Sequence, residues 1–149
     1  MGALQRTKKE VIILKKEIIR TIKYALFAAS AGLIQIGSFA LLNEIWHLNY
    51  WVSYLVALVL SVLWNFTLNR RYTFKSASNV KKAMLLVFAY YLVFTPLSTY
   101  LEHFLTDTHG WNEYLVTILN MLINFVTEFL YQRFVVFRKS IDTNDIARK

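Results

Sequence analysis

Residues 24–69 read YALFAASAGLIQIGSFALLNEIWHLNYWVSYLVALVLSVLWNFTLN, a stretch without Lys or Arg, and residues 83–132 form a second. A helix rising ~1.5 Å per residue needs roughly 20 residues to cross ~30 Å of hydrocarbon, so each stretch is long enough to cross twice. A polar break lies in the middle of each: Asn43–Tyr50 (NEIWHLNY) in the first and Glu102–Glu113 (EHFLTDTHGWNE) in the second. The pattern predicts spans at Tyr24–Leu42, Trp51–Asn69, Ala83–Leu101 and Tyr114–Tyr131. The expected fold class is therefore an all-α integral membrane protein with four transmembrane helices.

Charge fixes the expected orientation. The chain has 149 residues, 56% hydrophobic and 17% charged, with a net charge of +8. A soluble domain averages about 45–50% apolar and about 25% charged residues. The basic residues fall in three clusters: Arg6 to Lys23, Arg70 to Lys82, and Arg133 to Lys149. The two breaks carry Glu44, Glu102, Asp107, Glu113 and all three His. Loops rich in Lys and Arg stay in the cytoplasm, so both termini and the 70–82 loop are expected inside. Trp46, Trp51 and Trp111 flank the outer breaks, where interfacial aromatics belong.

Several functions are excluded or disfavoured on the same evidence. The basic residues cap apolar spans instead of forming a soluble patch, which argues against nucleic-acid binding. Zero Cys excludes a disulfide scaffold, Cys-ligated metal and a thiol nucleophile. No Gly-rich phosphate loop of the ATP-binding kind is present. Position 6 is Arg, which breaks the N-myristoylation pattern. The first apolar run is span-length and three more follow, which favours a retained helix over a cleaved signal peptide. Glu102, His103, Asp107 and His109 read as an exposed outer loop rather than a metal or acid–base site, and no cofactor is expected.

One membrane domain over 1–149 is predicted. Segment 1–23 is an amphipathic interfacial helix, with Val11, Leu14, Ile18 and Ile22 opposite Lys8, Lys15 and Lys16. Docking of that helix on its own bundle is the other reading. The hairpins occupy 24–75 and 83–139, and a cytoplasmic tail occupies 140–149. Thr95-Pro96 predicts a kink in the third span. Ala25/Ala29 and Ala28/Gly32 offer small faces for close packing or dimerisation. A bundle this small has little room to enclose a path, so a dimer or larger homo-oligomer is expected.

The hairpins echo one another. Asn65-Phe-Thr-Leu-Asn-Arg-Arg-Tyr-Thr-Phe74-Lys75 aligns without gaps on Glu128-Phe-Leu-Tyr-Gln-Arg-Phe-Val-Val-Phe137-Arg138. Phe66 pairs with Phe129, Arg70 with Arg133 and Phe74 with Phe137. Two hairpins of equal orientation make a parallel repeat about an axis along the membrane normal, which suggests a site where they meet.

The segment NFTLNRRYTF, its echo EFLYQRFVVF, the four short spans and the length resemble the GtrA-like family of small bacterial membrane proteins. The likeness runs from about Arg20 to Lys139; the echo departs from the first motif at Glu128 and Gln132. The resemblance implies movement of a polyprenyl-phosphate-linked sugar across the cytoplasmic membrane, for glycosylation of O-antigen, teichoic acid or another wall polymer. It also implies membrane glycosyltransferases of the same pathway as partners.

The residues supply candidates of their own. Ser53, Ala57, Ser61, Asn65 and Asn69 lie four apart, as do Asn120, Asn124, Glu128 and Gln132. Steps of four advance 400° and keep each stripe on one helix side. Carboxamides in hydrocarbon either glue helices together or line a wet cavity. Glu128 is either a structural ion-pair partner of Arg70 or Arg133, or a group that couples protons or handles sugar hydroxyls. Arg70, Arg71 and Arg133 emerge at the inner headgroup level, where guanidinium forks suit a lipid phosphate or simply anchor the spans. The expected substrate site is thus Asn65, Asn69, Arg70, Arg71, Asn124, Glu128, Gln132 and Arg133, with no catalytic residue. Two rivals are a non-transporting scaffold for a glycosyltransferase and a small proton-coupled solute or drug transporter. The latter places its key Glu in the first span, where this chain has Gln35.

Overall fold

The computed structural model describes residues 1–148. Among them there is no strand, and four helices are long and apolar enough to cross a membrane. The chain forms two compact units: Met1–Lys75 with the tail from Asn144 onward, and Ser76–Thr143.

In the first unit α1 spans Gly2–Ala40 and α2 spans Tyr50–Leu68, each extended by a π-helical turn, Leu41–Ile45 and Asn69–Thr73. The sequence separates an interfacial helix from the first span, but the structure joins them in one uninterrupted helix. No Gly or Pro falls between residues 3 and 31, so nothing in the backbone ends the helix before the apolar run begins. At ~1.5 Å per residue α1 is about twice as long as the ~30 Å hydrocarbon layer, so its basic first half projects beyond it. α2 packs on α1 through small residues: Ala31 on α1 and Ser53, Ala57 and Ser61 on α2 are buried. Gly32 is not part of a tight contact, because a Cβ there would meet open space.

In the second unit α3 spans Val80–His103 and α4 spans Glu113–Tyr131, extended by π turns Phe104–Thr108 and Gln132–Val136. α3 continues through Pro96. The polar breaks are shorter than the sequence indicates. Asn43, Glu44, Glu102, His103 and Asp107 remain on helix or π turn. Polar side chains at the membrane edge are hydrated and need not end a helix. The reversals come where the backbone turns left-handed, at His47 (φ 55°) and Gly110 (φ 67°). Asn49 and Asn112 then cap the next helices, accepting hydrogen bonds from Trp51 N–H and from Tyr114 and Leu115 N–H.

Along the apolar spans the exposed side chains are mostly hydrophobic, Leu33, Leu92, Leu97, Met121 and Leu122 among them. In water such a surface would aggregate; against lipid it is the surface a spanning bundle requires.

Candidate functional site

Four buried polar residues, Asn69, Thr73, Glu128 and Gln132, lie at the C-terminal ends of α2 and α4 and the turns that extend them. In the first unit two of them form a ladder of three with Asn65. Asn69 Nδ2 donates to Asn65 Oδ1 at 2.7 Å and to the Asn65 carbonyl at 3.0 Å, and Thr73 Oγ1 donates to Asn69 Oδ1 at 2.7 Å. Asn69 and Thr73 are buried, and Asn65 is half-buried. The four-residue stripe makes the ladder possible, because each side chain meets the next one turn away. Higher in the same hairpin, Ser61 donates to Gln35 at 3.4 Å, and Trp64 Nε1 donates to Ser30 Oγ at 2.9 Å.

The next residues after this ladder carry the cations. Arg70 is half-buried and Arg71 is exposed, with the Arg71 guanidinium 5.6 Å from the ring centre of Tyr72. The turn itself is held on α1 by aromatic contacts, Tyr72 with Phe27 at 6.0 Å and Phe74 with Tyr24 at 6.3 Å. A guanidinium lying over a ring keeps its N–H edge available for an anion.

In the second unit the polar cluster bridges α3 and α4. Glu128 is only 5% exposed, and its carboxylate accepts hydrogen bonds from both helices: Tyr91 Oη donates to Oε2 at 2.9 Å and Gln132 Nε2 donates to Oε1 at 3.1 Å. Gln132 is 2% exposed, and its own Oε1 is buried with no hydrogen-bond partner among the described residues. One turn further in, Tyr90 Oη donates to Asn124 Oδ1 at 3.1 Å and shares a 2.7 Å hydrogen bond with Thr127 Oγ1. Asn120 donates to the Ser98 carbonyl at 3.2 Å and to Glu102 at 3.4 Å. Arg133 is half-buried, its guanidinium 5.0 Å from the ring centre of Phe134.

Beside this cluster α3 and α4 enclose a groove of about 580 Å³, lined by Tyr90, Phe94, Asn120, Ile123, Thr127 and Tyr131 among others. Its walls are predominantly apolar, and hydroxyl and carboxamide groups sit at intervals along it.

The structure therefore joins Asn65 to Asn69, and Glu128 to Gln132, as neighbours in two hydrogen-bonded sets. Asn124 belongs with Tyr90 rather than with Glu128. Sequence reasoning missed Tyr91, Tyr90, Thr127 and Thr73. Thr73 was legible as the next step of four after Asn69, whereas the tyrosines belong to another helix and no spacing rule links them to Glu128. It also missed Arg20, buried on α1 and 2.5 Å from Glu17. On the far side His103 and Asp107 form an exposed pair at 2.5 Å, and His109 packs on Phe104 at 4.5 Å. No group of three metal-ligating side chains occurs among the described residues.

Taken chemically, each hairpin presents hydrogen-bonding groups inside an apolar wall and arginines just beyond them. The family model described as GtrA/DPMS, transmembrane domain, matches residues 23–137. No curated protein and no solved structure matches the chain.

Proposed function

Because the chain belongs to the GtrA/DPMS transmembrane-domain family, whose members act in polyprenyl-phosphate sugar translocation or glycosylation, we propose that it is a flippase for a polyprenyl-phosphate-linked monosaccharide. The sugar is delivered for glycosylation of a cell-surface polysaccharide such as O-antigen or teichoic acid, across the bacterial cytoplasmic membrane. The family is described as translocase-like rather than catalytic, and the proposed cycle makes and breaks no covalent bond.

One observation carries the reading: a carboxylate and a carboxamide, Glu128 and Gln132, buried in an apolar span with the Gln132 Oε1 lacking a donor. An unpaired buried acceptor costs roughly 1–3 kcal/mol, and a passing sugar hydroxyl supplies the donor it lacks. Asn65 and Asn69 in the first hairpin, and Asn124 in the second, offer the same kind of partner. Arg70 and Arg71 in the first hairpin, and Arg133 in the second, supply guanidinium groups for the lipid phosphate. The polyprenyl chain stays in lipid throughout.

The same proposal takes the hairpins as repeats with both termini cytoplasmic and the basic first half of α1 extending past the inner face of the membrane. Support comes from paired details: caps Asn49 and Asn112, left-handed His47 and Gly110, and the hydrogen bonds Leu48 N to Leu42 O and Trp111 N to Leu105 O. Every pair is separated by the offset that separates Arg70 from Arg133. The clustering of Lys and Arg supports the orientation. A homo-oligomer and a pathway glycosyltransferase are the proposed protein partners.

Purification with native lipids followed by mass spectrometry tests the substrate. A polyprenyl-phosphate sugar bound to the wild type and reduced by Arg70→Ala is the expected result. Ordinary phospholipid alone, in both proteins, would contradict it.

A further inference from the structure

We infer that Asn144, in the C-terminal tail, is a positioning residue for the turn that carries Arg70 and Arg71. The inference rests on the reading of those arginines as phosphate ligands, and it assigns a role to a segment that sequence treats as a trailing tail.

The last carbonyls of any helix lack intrahelical donors. In the π turn Asn69–Thr73 the Asn69 carbonyl accepts from Phe74 N–H at 2.9 Å, which leaves the carbonyls after it to be served from elsewhere. Asn144 serves two of them. Its Nδ2 donates to the Arg71 carbonyl at 2.9 Å, and its backbone N–H donates to the Lys75 carbonyl at 3.0 Å. Asn144 Oδ1 in turn accepts from Ala147 N–H at 3.1 Å, so both side-chain groups and the backbone N–H are engaged, and the residue is 8% exposed.

Lys75 is the second reason to see a clamp here. Its φ of 46° is left-handed, a conformation that an L side chain keeps only where surrounding contacts hold it. The hydrogen bond from Asn144 N–H falls on that residue. The arginine turn is thus fixed by rings on one side, by the Asn65–Asn69–Thr73 ladder within, and by Asn144 at its end. Removing the tail contact frees the end that aims the two guanidinium forks. Bidentate phosphate binding is sensitive to that aim, since both N–H groups must meet the anion together.

The test uses the full chain in phosphatidylcholine nanodiscs doped with either geranylgeranyl phosphate or geranylgeraniol, with lipid occupancy read by native mass spectrometry. Wild type is expected to favour the phosphate. Asn144→Ala reduces phosphate binding about fivefold, the effect of losing the hydrogen bond to the Arg71 carbonyl, and leaves geranylgeraniol binding unchanged. Asn144→Asp, which keeps the acceptor but not the donor to Arg71, behaves like Asn144→Ala. Wild-type phosphate preference in both variants would overturn the positioning role, as would an equal loss of both lipids, the mark of a merely structural residue. A wild type that binds both lipids alike, unaffected by Arg70→Ala, would overturn the phosphate reading itself and the positioning role with it.

Discussion

Glu128 sits where an isolated carboxylate is least tolerated, in an apolar span at 5% exposure. Donors on two elements hold it, Gln132 one turn on along the same helix and Tyr91 on α3 among them. A hydrogen bond to a charged group is worth about 1.5–3 kcal/mol in soluble proteins, whereas those between membrane helices average nearer 0.6 kcal/mol. Burial of this one points to the upper part of the membrane range. Tyr91→Phe is expected to destabilise the protein by about 1–2 kcal/mol in reversible SDS unfolding from bicelles, and the Tyr91→Phe/Glu128→Gln double variant to lose less than the sum of the two single losses. Additive losses would show that the hydroxyl does not serve the carboxylate. At this scale the sequence revealed half of the cluster. A four-residue stripe exposes Glu128 and Gln132, because partners on one helix obey a spacing rule. Tyr91 obeys none.

Among the elements, four helices and their approximate spans were legible from stretches free of Lys and Arg and from the polar breaks within them, because hydrocarbon admits few other backbones. Their ends were not. Polar residues such as Glu102 and Asp107 look like loop, yet the helix continues beneath them until the left-handed turn at Gly110. The restart is marked by Asn112, whose side chain accepts from two N–H groups, Tyr114 at 2.9 Å and Leu115 at 3.3 Å. Asn112→Ala is expected to cost about 1 kcal/mol in the same SDS titration, and Asn112→Ser to recover most of it. Equal stability of the Ala variant would mean that the membrane interface alone sets the start of α4. The boundary between the amphipathic segment and the first span was illegible for a related reason: amphipathic and apolar periods follow one another within α1 without any signal that breaks the backbone between them.

For the whole molecule, a net charge of +8 on a chain that is 56% hydrophobic reports membrane insertion and proposed orientation more than a charged partner. Once that common signal is set aside, the residues that distinguish the chain are a buried Glu, its carboxamide neighbours and the paired arginines. The tail contact at Asn144 was beyond any sequence rule, since its partners Arg71 and Lys75 lie at the C-terminal end of the first hairpin, with the whole second hairpin between them in sequence. The most direct measurement is translocation by the chain alone. Protein reconstituted in liposomes with a polyprenyl-phosphate monosaccharide is assayed by the exposure of the sugar to a membrane-impermeant oxidant. Wild type is expected to expose the inner-leaflet pool, while Arg70→Ala and Glu128→Gln, folded by circular dichroism, leave it protected. Inner sugar that stays protected with wild type, or equal exposure in all three proteins, would contradict the flippase mechanism.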